Sequence, residues 1–335
     1  MRDRAQYLDN GKGCIILLML FSHTLSGTGI IRTYISHFHM QFFFLVCGIL
    51  LYMKYGEETV TKVQLLSAFR KRLSQIGVPY FAFCLVLALF YSGLNLIVKQ
   101  PLQFDHYLRR TLMLQGIDSL WFLSVYFFSE FLLLIFLCIR NGRKIAIGVS
   151  IAIVIILSVL SHSMPSQQLL RLLVKSLIGF TFVCLGYELS RLKLFDRISV
   201  LLSLVLLICG ATLSKVNGFA AIGSLEIGNG FLFFLSAAFT GSAILALLKK
   251  VESAGAHLPG LSLFGQNTIV ILCTNNLLIE TIRLADHKLT GDFLLKTGLA
   301  GSLLFTALLI LIEIPVIKLA SGPFAPMFGK QAKKG

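Results

Sequence analysis

Residues 299–317 read LAGSLLFTALLILIEIPVI, a run of nineteen with a single charge at Glu313. A helix rising 1.5 Å per residue makes this run about 28 Å long, which matches a hydrocarbon core of ~30 Å. The apolar residues do not alternate with polar ones, so the run is not a strand of an outer-membrane barrel. A helix also closes its own backbone hydrogen bonds, as lipid requires. Similar runs predict helices over 13–31, 38–55, 78–98, 119–139, 145–162, 169–190, 198–215, 224–248, 263–282 and 297–320. The expected fold is all-α, a polytopic integral membrane helical bundle of about ten transmembrane helices.

Composition agrees. Hydrophobic residues make up 56% of the 335 and charged ones 13%, against roughly 25% charged in soluble domains. The net charge of +15 does not mark a nucleic-acid binder, because the basic residues lie between apolar runs and form no soluble basic domain. The charge orients the chain instead. Segments 2–12, 54–72, 140–144, 191–197, 249–250 and 318–334 hold 20 of the 30 Lys and Arg. This bias predicts both termini, and the 54–77 segment, on the cytoplasmic side. Cys14, Cys47, Cys84, Cys138, Cys184, Cys209 and Cys273 all fall in apolar runs, where cysteine serves as a small hydrophobe. Neither disulfides, thiol chemistry nor a metal centre is expected. The first run carries no small-residue cleavage site and reads as a retained helix. No linker divides the chain and no large external loop interrupts it. Residues 1–335 are expected to form one domain, with any active site in the bundle or at its mouths.

Ionisable groups within the runs are expensive and therefore candidates. His23 follows Lys12 by eleven residues, about 16 Å along a helix, and is expected near mid-membrane. It reads either as a neutral histidine bonded to a neighbouring helix or as a general base. Asp9 and Lys12 are three apart and share a helix face. His37 and His39 are expected to open the second helix at the outer interface. Glu130 lies midway along the fourth helix with no charged neighbour in sequence, so it needs a partner on another helix or a proton. Glu313 precedes Pro315, which frees a backbone carbonyl. Trp121, the only tryptophan, opens the fourth helix as a belt anchor or a sugar platform. The run Arg70-Lys71-Arg72 is expected in the longest inner loop, either as a topology signal alone or as a cradle for a polyanion.

Several of these segments, in register, resemble the acyltransferase-3 family of membrane acyltransferases. Asp9-Asn10-Gly11-Lys12-Gly13 followed by His23 is similar to the family's opening pattern of an Asp, a basic-Gly pair, an apolar helix and a His. Phe38-His39-Met40-Gln41-Phe42-Phe43-Phe44-Leu45-Val46-Cys47-Gly48 resembles its "FHMPLFFFLSG" segment, with Gln41 for the proline and Cys47 for the serine. Arg70-Lys71-Arg72-Leu73 leading to Pro79-Tyr80 resembles its arginine motif, although Gln75 stands where a second arginine is common. Leu120-Trp121-Phe122-Leu123 is similar to its "LWFL", and Glu313-Ile314-Pro315 to its "E-x-P". Asn275 occupies the place of a ninth-helix histidine found in some members.

The resemblance implies an O-acyltransferase that takes acetyl, or another short acyl group, from cytoplasmic acetyl-CoA or another acyl-CoA. The acceptor would be a hydroxyl of a cell-envelope glycan such as O-antigen, capsule, exopolysaccharide or another lipid-linked sugar. The chain would sit in a bacterial cytoplasmic (inner) membrane. His23, Glu313 and Asp9 are the expected catalytic residues, with His23 acting as general base or as covalent acyl carrier. Lys12, Arg70, Lys71 and Arg72 are the expected cofactor-binding residues. Glu313 is expected to pair with Arg72, and Lys12 either to pair with Asp9 or to neutralise phosphate. His39, Trp121 and Glu130 are expected to bind substrate, and Asp118 and Glu226 to line the outer rim with them. The rival reading is a proton-coupled transporter or flippase of a glycan or small anion, which buried His and Glu would also suit.

The charge bias is testable. A single cysteine at Gln64, on a background without native cysteines, should resist an impermeant maleimide added outside intact cells and react after permeabilisation. Labelling from outside would reverse the topology.

Overall fold

The computed structural model describes residues 5–25, 29–97, 99–160 and 165–330. In chain order the helices are α1 (Gln6–Thr24), α2 (Ile30–Tyr55), α3 (Lys62–Arg72), α4 (Val78–Ile97), α5 (Phe104–Leu112), α6 (Trp121–Leu137), α7 (Gly142–Val159), α8 (Gln168–Arg191), α9 (Leu194–Arg197), α10 (Val200–Asn217), α11 (Gly230–Ser253), α12 (Pro259–Gln266), α13 (Thr268–Thr290), α14 (Phe293–Lys296) and α15 (Gly298–Ala320). A π-helical turn, Leu73–Gly77, joins α3 to α4, and 3-10 turns cover Asp118–Leu120 and Ala325–Phe328. Among the described residues, nine helical stretches are long and apolar enough to cross a membrane. α1, with Asp9, Asn10 and Lys12 near its start, is not one of them. The protein is an all-α, multi-pass membrane helical bundle.

The later eight helices lie within a few residues of expectation, apart from a start near 230 rather than 224 and an end near 290 rather than 282. The first two are displaced. The run expected over 13–31 is helical from Gln6 to Thr24, and the one expected from 38 begins at Ile30. Apolarity alone carried the first helix across Gly27-Thr28-Gly29, a breaker in the sequence. His37 therefore lies two turns inside α2 instead of opening it, and is fully buried. The basic run is likewise corrected from loop to helix. The Thr61 backbone N–H donates to Gln64 Oε1 at 2.8 Å and the Gln64 N–H to Thr61 Oγ1 at 3.2 Å. This reciprocal cap nucleates α3, whose Leu, Ala, Gln, Lys and Arg residues favour helix.

The chain forms two compact units. The first comprises Met1–Ser22, Gly27–Ser67 and Phe128–Thr268, and is organised by α2 along α8 and α10 along α11. Small residues let these backbones meet, as lipid-embedded helices need. A Cβ on Gly48 would come 1.9 Å from the Val183 carbonyl oxygen, and one on Gly186 would come 1.9 Å from that of Leu45. The two glycines thus seal one contact from both sides. α1 meets α12 in the same way, with Gly13 against the Leu261 carbonyl and Gly265 against that of Asp9.

The second unit comprises His23–Ser26, Ala68–Phe127 and Ile269–Gly335. Its apolar cluster joins Ile279 and Ile282 of α13 to Leu294 of α14 and to Phe305 and Leu309 of α15. Phe328 packs on Phe83 of α4, ring centroids 4.8 Å apart.

The glycine contact predicts stability effects of known sign. Gly48→Ala and Gly186→Ala should each lower the melting temperature of the detergent-purified protein, at a cost of about 1–3 kcal/mol for overpacking. The double variant should lose less than the sum, because both changes open the same contact. Gly148→Ala in α7, with nothing within 4 Å of the new methyl, should be neutral or stabilising. Equal behaviour of all three would refute a contact made by close backbones.

Candidate functional site

The last turn of a helix has no following turn to donate to its carbonyls, and where it is buried those carbonyls need other partners. At the end of α1 side chains supply them. Arg283 of α13 donates from Nη2 to the His23 carbonyl at 3.2 Å, while Glu280 holds its Nη1 at 2.8 Å. Ser302 of α15 donates to the Thr24 carbonyl at 3.0 Å. The Thr24 hydroxyl lies 3.1 Å from the Ser302 carbonyl and 2.9 Å from Thr306 Oγ1. His23 is half-buried in this last turn. It keeps its eleven-residue spacing from Lys12 but ends a helix instead of lying midway along one.

Glu313 follows Thr306 by seven residues, on the same face of α15 and about 10 Å further along. It is fully buried. The Thr274 hydroxyl of α13 lies 3.0 and 3.1 Å from its two carboxyl oxygens and 2.9 Å from the Val270 carbonyl. One hydroxyl hydrogen cannot serve all of these acceptors, so Glu313 can accept a further donor or, protonated, donate to Thr274. The expected pair with Arg72 is not formed, and the side-chain partner of Glu313 is the Thr274 hydroxyl. Thr274 and Arg283 are nine residues, about 14 Å, apart on α13. α13 therefore links the Glu313 carboxyl to the end of α1.

Asn275, next to Thr274, is fully buried. Its Oδ1 accepts from Ser119 Oγ at 3.1 Å and from the Asn276 N–H at 2.7 Å, and Ser119 Oγ also reaches the Leu272 carbonyl at 2.9 Å. Asn276 Nδ2 donates to Ser119 Oγ at 3.1 Å. Asn275 Nδ2 has no partner among the described residues. The amide anchors the turn that begins α6.

Arg70 and Lys71 are exposed in the last turn of α3, and Arg72 is half-buried. Arg72 Nη1 donates to Gln75 Oε1 at 3.3 Å. Gln75, the departure from the family's paired arginines, thus holds Arg72 from within the π turn. The chain returns to this turn after α15. A Cβ on Gly329, whose φ is +62°, would come 2.2 Å from the Ser74 carbonyl oxygen. Lys330 follows, half-buried, and burial pushes its ammonium below the usual lysine range.

The remaining expected residues are distributed as follows. Trp121 opens α6 in the second unit, half-buried. Asp9, Lys12, His39 and Glu130 belong to the first unit. Asp9 and Lys12 pair at 2.8 Å. His39 donates from Nδ1 to the Ile35 carbonyl at 2.8 Å, which leaves the Nε2 lone pair. His37 donates from Nε2 to the Gly218 carbonyl at 2.8 Å. Glu130 is buried in α6 beside Ser129, whose hydroxyl donates to the Ser176 carbonyl at 2.9 Å. Lys175, adjacent to Ser176 and also buried, is a charge the sequence reading overlooked, although it stands in a predicted span. Arg283 was passed over because it falls at the end of the expected ninth helix. Thr274 and Ser119 are too common in membrane helices to stand out. Among the described residues no group of three His, Cys, Asp or Glu side chains is arranged to hold a metal ion.

No curated protein and no solved structure matches the chain. The family comparison does give a match, to an acyltransferase domain over residues 5–317 of the 335. That covers α1 with His23, the basic run of α3 and the Glu313-Ile314-Pro315 stretch of α15, and the chain belongs to the acyltransferase-3 family of membrane acyltransferases.

Proposed function

We propose that this protein transfers an acetyl or other short acyl group from cytoplasmic acyl-CoA to a hydroxyl of a cell-envelope glycan or lipid-linked sugar. We place it in a bacterial inner membrane with both termini cytoplasmic. One observation carries this reading. The second unit holds four cations, Arg70, Lys71, Arg72 and Lys330, around the π turn, and it also holds His23 at the end of α1. Arginine forks and lysine points are the donors that phosphates of a nucleotide-like cofactor require. Between them, α15 carries Glu313. A CoA held by its phosphates at the basic run has a pantetheine arm to bring its thioester along this helix towards His23.

The chemistry then needs a base. His23 takes the proton of the sugar hydroxyl as that oxygen attacks the thioester carbonyl. The tetrahedral intermediate collapses with loss of the C–S bond, and the CoA thiolate recovers the proton from the imidazolium. In the covalent variant, His23 itself attacks the thioester, the C–S bond breaks and the CoA thiolate leaves; the sugar hydroxyl then attacks acyl-His23, the C–N bond breaks, and the hydroxyl proton goes to the thiolate.

Two measurements test the reading. Arg72→Ala should raise KM for acetyl-CoA tenfold or more, about 1.4 kcal/mol, with kcat less affected. An unchanged KM in the Arg70, Lys71 and Arg72 triple alanine variant would reduce the run to a topology signal. His23→Ala and His23→Gln should each lose about 10²–10⁴-fold in turnover per folded molecule. Folding should survive, because the bond from Arg283 is to the His23 backbone. Near-normal turnover in either variant would exclude His23 as base and as acyl carrier.

A further inference from the structure

The segment before α6 is strained. Leu114, Gly116 and Asp118 have φ of +56°, +64° and +47°. For residues with a Cβ this region is strained and persists only where the surroundings over-determine it. They do so here. Tyr80 donates its hydroxyl to the Thr111 carbonyl at 2.9 Å and accepts from the Gly116 N–H at 3.0 Å. Ser124 donates to the Leu114 carbonyl at 2.7 Å, and Ser119 is tied to Leu272 and Asn275.

The strain turns neighbouring side chains in opposite directions. Ser119 points into the protein and Asp118 is exposed. A structural carboxylate would be expected in an ion pair, but among the described residues Asp118 accepts only from the Tyr91 hydroxyl. Beside it the Tyr91 and Tyr107 rings lie 5.7 Å apart at 31°. Glu280 lies within electrostatic range of the Tyr91 hydroxyl, and its own carboxylate is taken by Arg283, which holds the His23 carbonyl. Tyr91 is nineteen residues beyond Arg72 in one continuous helix, about 28 Å away. The cluster thus adjoins the His23 end of the unit and lies far from the cationic turn.

We infer that Asp118, with the rings of Tyr91 and Tyr107, is a binding subsite for the hydroxyl-rich acyl acceptor. A carboxylate that only accepts hydrogen bonds has lone pairs for sugar hydroxyls, and an aromatic face beside it covers the C–H side of the ring. The cationic run Arg70-Lys71-Arg72 lies at the other end of the helix, which separates this subsite from the proposed donor end. The inference rests on the proposed glycan acceptor.

The test uses the full chain in detergent, with unacylated envelope polysaccharide extracted from cells lacking the gene as probe. Trp121, the single tryptophan, stands three residues from Asp118, and its fluorescence should respond to the polysaccharide without acetyl-CoA. Asp118→Asn and Tyr107→Ala should each raise the half-saturating polysaccharide concentration tenfold or more, in binding and in acetyl transfer, with KM for acetyl-CoA unchanged. Asparagine tolerates positive φ, so Asp118→Asn should keep the wild-type melting temperature. Wild-type transfer with unaltered half-saturation in both variants overturns the subsite and leaves the proposed function standing. Absence of any polysaccharide-dependent transfer or fluorescence change in the wild type overturns both. A response to ethanolamine that polysaccharide does not reproduce makes the cluster an amine site and overturns the inference.

Discussion

A buried carbonyl at the end of a helix must find a donor within the protein, and much of the second unit follows from how α1 meets that demand. An unsatisfied buried backbone group costs about 1–3 kcal/mol. The His23 and Thr24 carbonyls avoid this by drawing in Arg283 and Ser302. Arg283 in turn needs a counter-charge, and Glu280 supplies it one turn away. His23, at this end, has its backbone fixed by a charge-assisted bond while its side chain is not fully enclosed. A mid-helix histidine would have gained rigidity and lost access.

The fold was legible because its signal is summed over many residues. A span such as 299–317 contains enough Leu and Ile that one glutamate and one proline do not obscure it. Failure came where the signal depends on a few residues. Gly27-Thr28-Gly29 is a short breaker inside a longer apolar stretch, and hydropathy averaged across it. The Thr61–Gln64 cap is likewise two side chains long, and the charges that follow it read as loop. Charge density reports solvent exposure, not the absence of helix. α3 is both exposed and helical, so composition could not separate the two.

The candidate site was legible in part, and by residue type. His23, Glu313 and Arg72 stand out because ionisable groups in apolar context are expensive. Their partners do not stand out. Glu313 was expected to find an arginine and instead meets the hydroxyl of Thr274, a residue whose usual duty in a helix is to bond its own preceding carbonyl. No spacing rule reaches from 274 to 313. The same holds for Gln75, which reads as a missing arginine until the π turn brings its carbonyl oxygen to Arg72. The positive φ at Asp118 has no sequence signature either, since aspartate tolerates that region without requiring it.

These features bear on how one helical unit can, in the proposed reaction, separate a polyanionic donor from a neutral, hydroxyl-rich acceptor. The continuous helix through α3 and α4 has three cations just before its π turn and Tyr91, bonded to Asp118, near its far end. Exposed charges nearly 30 Å apart are screened from each other beyond about 8–10 Å of ionic atmosphere. Each end can therefore select its ligand by local sign without disturbing the other. In the proposed reaction the cations hold phosphate at one end, and Asp118 accepts hydroxyls at the other. The long helix converts a difference in side-chain chemistry into a direction for the reaction. In the proposed reaction, His23, tied through Arg283 and Glu280 to the Tyr91 end of the unit, is the group that takes the proton of the incoming hydroxyl.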